Sequence, residues 1–286
     1  MNTRQIGNTE LRVHEIGYGA MHLSIDRERR PSEEAAITLI QRAVDELGID
    51  FIDTADAYCA DDTETGHNER LIAKALQGER RSRVMVATKG GSLRPGGSWE
   101  RNGRPSHLRA ACDASLKALD TDHIDLYQLH APDPSVPVEE SVGTLADLQR
   151  EGKIRHIGVS NFTLNQLQRV MSEAVIASIQ NQFSVVNQRE DQELLKFCEE
   201  NHITYIPWNP VGGRGKAPNL GEESSALHRI AAHHKVSPHT VALAWLLALS
   251  PVMLPIPGTT KFEHLAENVQ AAGLTLSADE MAELGS

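Results

Sequence analysis

Short apolar runs alternate along the chain with longer stretches whose apolar residues fall at helical spacing. Ile37, Ile40, Val44 and Leu47 recur every three to four residues after Ser32, a good N-cap, and Gly48 is a natural stop. The run at 50–54 follows at once and is short enough to be a buried strand. The unit then repeats. A helix near 67–77 precedes a strand at 84–88. A helix capped by Ser106, with Leu108, Cys112, Leu116 and Leu119 on one face, precedes 124–127, and a helix near 138–151 precedes 154–159. Further runs at 176–179, 203–206 and 252–256, with one at 16–20, bring the predicted strands to eight. Such alternation implies parallel strands joined by crossover helices. Eight units predict a closed (β/α)8 TIM barrel rather than an open doubly wound sheet. Polar alternation at 3–6 and 11–13 around Gly7-Asn8-Thr9 predicts an N-terminal β-hairpin across the bottom of the barrel. No linker, low-complexity tract or charge run divides the chain, so residues 1–286 are expected to form a single barrel domain.

Composition narrows the partners. The 28 Lys and Arg against 39 Asp and Glu leave a formal charge of −11, which disfavours a nucleic-acid backbone or an anionic membrane. The most apolar stretch, 241–257, is interrupted by Pro251, Pro255 and Pro257 and is too short to cross a bilayer. The N-terminal residues lack the apolar core of an export signal. Cys59, Cys112 and Cys198 are widely spaced, odd in number and form no CxxC pair, as expected of a reducing, cytoplasmic setting. A monomer is compatible with all of this, and oligomeric state is not encoded in the pattern.

In a barrel, reactive side chains stand at the C-terminal ends of strands. Those ends supply Asp53 and Tyr58, then Lys89, then His130, on neighbouring strands around one point. An acid, a phenol, an amine and an imidazole suit proton transfer at a carbonyl oxygen. A neighbouring ammonium is expected to lower the Tyr58 pKa from its ordinary value near 10, with Asp53 holding Lys89 in place. His130 is placed to hydrogen-bond and orient the substrate oxygen. No convincing nucleophile accompanies them, and the convergent ligands of a hydrolytic zinc site are missing. Reduction therefore needs an external source of electrons, yet the dinucleotide fingerprint of open sheets is absent, because Gly17-Tyr18-Gly19 lacks a third glycine.

At these residues the chain resembles the aldo-keto reductases over nearly its full length. Asp53-Thr54-Ala55-Asp56-Ala57-Tyr58 is similar to that family's strand-two motif, followed by Gly66 and Asn68-Glu69. Ala87-Thr88-Lys89 is similar to the lysine strand and Leu126-Tyr127-Gln128-Leu129-His130 to the histidine strand. The stretch Gly152-Lys153-Ile154-Arg155-His156-Ile157-Gly158-Val159-Ser160-Asn161-Phe162 resembles the most recognisable signature. The resemblance implies an extended NADPH at the barrel mouth. On it, Ser160, Asn161 and Gln180 would bond the nicotinamide carboxamide, and Trp208 would stack on the ring where most relatives carry Tyr. Asn209, Val211, Gly212 and Arg214 would run beside the pyrophosphate, with Lys216 adding positive charge. Thr259, Lys261, His264, Glu267 and Asn268 would meet the adenosine end, and Met21 would touch cofactor or substrate. His264 departs from the family, standing where many members place an arginine for the 2′-phosphate. NADPH remains the expected cofactor, with NADH the alternative.

The third βα loop, 90–105, with Trp99 as its one large aromatic, is expected to cover a wall of the substrate pocket. The chain ends soon after a last helix near 277–284, without most of the closing loop of longer relatives, so a more open pocket with broad aldehyde specificity is expected. A similarity to bacterial reductases acting on pyridoxal gives the most specific substrate expectation. His228, His233, His234 and His239 are read as a solvated helix face, and no pattern marks Cys59 as reactive. Two rival functions stay open at this point. One is an NADPH-binding sensor barrel with little turnover. The other is a metal-dependent hydrolase using His130 and Asp53 as ligands.

Overall fold

A computed structural model describes every residue except 1, 189–191, 214–219, 221–223 and 286. Seven parallel strands lie side by side in chain order: β3 (Tyr18–Gly19), β4 (Phe51–Asp53), β5 (Met85–Gly90), β8 (Ile124–Leu129), β9 (Ile154–Ser160), β10 (Ile176–Gln182) and β11 (Thr204–Trp208). The two edges are joined by the segment 252–257. Its Val252 carbonyl accepts from Tyr205 N at 2.9 Å, and its Leu254 N donates to the Tyr205 carbonyl at 2.9 Å. On its other side, Gly17 N donates to the Pro255 carbonyl at 3.0 Å and Gly19 N to the Pro257 carbonyl at 3.3 Å. The sheet is therefore a TIM barrel, as the alternation predicted.

The eighth expected strand, 252–256, is not a regular one. Only Met253 forms a bridge, with Tyr205. Pro255 and Pro257 turn their backbone toward β3 but have no N–H to donate, so on that side the segment offers acceptors and no donors. The same deficit shortens the first expected strand to Tyr18–Gly19, after which Ala20–Leu23 winds into a 3₁₀ turn.

Helices cover the outside of the sheet. Ser32 caps Glu33–Leu47 through Ala35 N, and Gly48 ends it in the left-handed region, as expected. Ser106 is not a cap. The helix Pro105–Leu119 starts with Pro105, whose missing N–H would have had no partner in a first turn, and its N-cap Arg104 makes no side-chain bond. No helix among the described residues is long and apolar enough to cross a membrane.

The apolar residues divide between the helix layer and the barrel lumen. Phe51, Met85, Leu126, Ala177, Ile206 and Leu254 form an inner cluster together with Ile6 and Val13 from the N-terminal hairpin. That hairpin, β1 (Thr3–Gln5) with β2 (Arg12–His14), lies at the N-terminal ends of the barrel strands. Gly7 N donates to Thr204 Oγ1 at 2.7 Å, and Thr204 Oγ1 donates to the Gln5 carbonyl at 3.1 Å. Because side chains alternate along a strand, the residue two places beyond each apolar plug also faces inward. Asp53 follows Phe51, Lys89 follows Ala87, Gln128 follows Leu126 and Trp208 follows Ile206 in this way. An apolar floor thus supports a polar layer.

Gly7 sits at φ 54°, and a Cβ there would lie 2.6 Å from the Ala177 carbonyl oxygen. Gly7→Ala combines left-handed strain with this clash, so it should lower stability by about 2–3 kcal/mol in urea unfolding while leaving the m-value unchanged.

Candidate active site

Lys89 is wholly buried, and its ammonium has three N–H donors and no acceptor. All three are used. Nζ lies 2.6 Å from Asp53 Oδ1, 2.9 Å from the Thr54 carbonyl and 2.9 Å from Tyr58 Oη. The backbone after β4 brings Tyr58 into place. Thr54 N and Asp56 N pair with the carbonyls of Ala87 and Lys89 on β5, and a turn closed by Tyr58 N on the Ala55 carbonyl folds the phenol back over Nζ. Asp53 Oδ2 accepts from Gln180 Nε2 at 2.8 Å and Gln128 Nε2 at 3.3 Å, so both carboxylate oxygens are engaged.

Direction matters at Tyr58. Since Lys89 can only donate, Tyr58 Oη is the acceptor of that bond, which leaves the phenolic proton to be given elsewhere. Tyr58 lines a cavity of about 910 Å³, together with His130 and Asp53. The expected fall in the Tyr58 pKa is not the net result. Burial pushes the phenol up, the Asp53 carboxylate adds to that push, and the pull of Lys89 in the other direction does not offset them. For Lys89, burial favours the neutral amine, but Asp53 and Tyr58 together outweigh it and hold the ammonium above its ordinary value.

His130 presents an edge to the Tyr58 ring, with centroids 5.7 Å apart, and to Trp99 at 5.6 Å. Burial, then the nearby Lys89 charge, hold its imidazole well below the usual histidine range. His130 is thus a neutral ring that can donate one hydrogen bond rather than an acid. Its Nδ1 has no partner among the described residues.

The cavity continues along the C-terminal ends of β9, β10 and β11. Asn161 ties these walls together. Its Nδ2 donates to the His130 carbonyl at 3.0 Å and to Ser160 Oγ at 3.1 Å, while its Oδ1 accepts from Trp208 Nε1 at 3.1 Å. Ser160 Oγ donates to the Gln180 carbonyl at 2.8 Å. Asn161 and Asn209 each leave their strand with positive φ, a conformation asparagine tolerates better than most residues.

Met21, Ser160, Asn161, Gln180, Trp208 and Asn209 all line the cavity, and so do Val211, Thr259, His264, Glu267 and Asn268. Two expected contacts are not in its wall. Gly212 forms the turn beneath it, donating N–H to the Asn209 carbonyl at 2.9 Å. Lys261 is exposed as the N-cap of Phe262–Gln270, its N–H donating to Thr259 Oγ1 at 3.1 Å. Arg214 and Lys216 lie outside the described residues.

The third loop does form a wall. β6 (Ser92–Leu93) pairs antiparallel with β7 (Glu100–Arg101), and Ser92, Trp99, Glu100 and Arg101 face the cavity. His22 and His239 also line it and were missed. His239, expected on a solvated helix face, lies instead in the cavity wall. The missed signal is Ser237-Pro238, which starts the helix Pro238–Leu249 at the barrel mouth. Cys59 is buried, and burial pushes its thiol up to about 11, as expected of an unreactive cysteine.

A sequence model of the aldo/keto reductase family matches residues 15–286. The chain belongs to that family. An uncharacterized oxidoreductase of Schizosaccharomyces pombe is 37% identical over 95% of this chain and 86% of its own length. A probable aldo-keto reductase of Glycine max is 32% identical over 98% and 87%. Among solved structures, the thermostable aldo-keto reductase Tm1743, in complex with the inhibitor epalrestat, superposes with a TM-score of 0.84 at 30% identity, covering 100% of this chain and 99% of that one. As a member of the family, the chain is an oxidoreductase of carbonyl chemistry.

Lys89→Met would strand Asp53 as a buried, uncompensated charge in this aldo-keto reductase and should cost about 3–5 kcal/mol. Adding Asp53→Asn should recover much of that loss, read as a coupling energy in a double-mutant cycle. Nitrogen NMR should show His130 neutral through the neutral pH range. Because the unfolded ring takes up a proton below its ordinary value of 6.5 and the folded ring does not, stability should fall as pH drops below that value. His130→Asn should remove this component of the pH dependence.

Proposed function

We propose that this chain reduces aldehydes and ketones to alcohols with NADPH, the proton coming from Tyr58. The observation that carries this reading is the donor count at Lys89, which makes Tyr58 Oη an acceptor toward the protein and leaves it a donor toward the cavity. Bound reduced nicotinamide would supply the hydride to the carbonyl carbon. Tyr58 gives its proton to the carbonyl oxygen, and the phenolate left behind is stabilised by the Lys89 ammonium 2.9 Å away. The neutral His130 donates a hydrogen bond to the same oxygen and orients it. Asp53 keeps the ammonium charged in a site where burial works against it.

The residues present suit such a cofactor. Asn161 fixes the Trp208 indole in the wall as a stacking surface, with Ser160 and Gln180 beside it. The N-terminus of Phe262–Gln270 has no side-chain cap, so its N–H groups and the exposed Lys261 favour a phosphate near Thr259 and His264. That is the basis for choosing NADPH over NADH. A hydrolase with Asp53 as a metal ligand fits less well, since Lys89, Gln128 and Gln180 already occupy both carboxylate oxygens. A sensor barrel would have no use for the complete Asp53, Tyr58, Lys89 and His130 set.

Tyr58→Phe should lower kcat by about 10²–10⁴-fold and leave NADPH affinity, read by fluorescence quenching, unchanged. A Tyr58→Phe enzyme with native turnover overturns the assignment. An aldehyde panel that includes pyridoxal, run with each cofactor, tests the substrate and the NADPH preference. Higher kcat/KM with NADH overturns the latter.

A further inference from the structure

Two helices meet away from the barrel mouth with an unusual set of side chains between them. Ser225–His234 ends in His233 and His234, and Ala278–Leu284 begins just after its cap, Ser277. Glu280 is held from both sides. One oxygen, Oε2, accepts from Ser277 N at 2.8 Å in a capping box. The other, Oε1, faces His233 Nδ1 at 3.2 Å and His234 Nε2 at 2.8 Å. All three atoms lie within 4.8 Å of one another. One turn away, Arg229 and Glu283 form an ion pair across the same seam.

We propose that His233, His234 and Glu280 bind a divalent transition metal, zinc by preference, which fastens the last helix to Ser225–His234. Two imidazoles and one carboxylate with an open fourth position are a zinc donor set, with Zn–N and Zn–O distances of about 2.0–2.2 Å. At coordination angles between roughly 90° and 110°, such bonds put neighbouring donor atoms about 2.9–3.4 Å apart. The His233 separation of 3.2 Å falls in that range and the His234 separation of 2.8 Å lies just below it. Only the two nitrogens must approach, and His233, whose side chain is 72% exposed, is free to turn.

The surroundings favour the metal too. Glu280 is oriented by a hydrogen bond to its second oxygen, as ligating carboxylates commonly are. The seam lies apart from the catalytic cavity, whose wall contains none of these residues.

The test is calorimetric titration of tag-free protein with zinc alone, paired with thermal unfolding. The native chain should bind zinc saturably at one strong site and unfold at a higher temperature as zinc rises. The double substitution His233→Ala with His234→Ala should weaken that site by at least about tenfold and abolish the thermal shift. Glu280→Gln, which keeps the capping box, should weaken it as well. Aldehyde reduction by the double variant should stay native, showing that the fold is intact. Zinc affinity unchanged in both variants, or no saturable binding by the native chain at millimolar zinc, overturns the proposal.

Discussion

A full charge pair sits in the lumen of this barrel, and much of the architecture follows from what it takes to keep it there. Removing Lys89 and Asp53 from water costs several kcal/mol for each ion, and their mutual attraction offsets this only when every remaining donor and acceptor is matched. The matching comes from separate parts of the chain. Gln128 from β8 and Gln180 from β10 take the far carboxylate oxygen, while the Thr54 carbonyl and Tyr58 take the remaining ammonium protons. The phenol is therefore part of the pair's hydrogen bonding. Its position is enforced by the same requirement that makes it useful.

The floor beneath is consistent with this. Apolar plugs at Phe51, Ala87, Leu126 and Ile206, sealed by the hairpin through Ile6 and Val13, exclude water from below. Above, the third loop is built rather than loose. Asp62 N bonds the Arg94 carbonyl, Gly103 N bonds Asp133, and the Arg94 guanidinium lies over Trp99. A ligand entering the cavity would meet a wall already in place, with the Trp99 indole on it.

The barrel was legible because its units repeat with clear caps and periods, Ser32 through Gly48 being the plainest. That Asp53, Tyr58, Lys89 and His130 converge on one point was legible because strand ends are where a barrel displays chemistry. What the pattern hid was balance and crossings in space. That burial outweighs the ammonium at Tyr58 depends on how much protein surrounds the phenol, which no spacing encodes. His22 and His239 reach the cavity through a 3₁₀ turn and a helix start, neither of which is a strand end. His233 and His234 look solvated along their own helix, and only tertiary packing brings Glu280 against them. The eighth strand failed for a local reason visible in its prolines, whose missing donors outweighed a run of good β-formers.

The proline-lined closure also sets where the cylinder is weakest. Tyr205 on β11 both gives and receives a bond across its seam, while β3 across the other side only gives. Thermal breathing should begin along that one-sided edge. Gly19 lies on it and Gly258 just past it, both in the cavity wall, so the mouth can widen there by small amounts. The charged centre starts only one strand away, with Asp53 on β4 in register beside Gly19, but the bonds from Gln128 and Gln180 tie its carboxylate to β8 and β10, so give at the entrance need not loosen the ion pair.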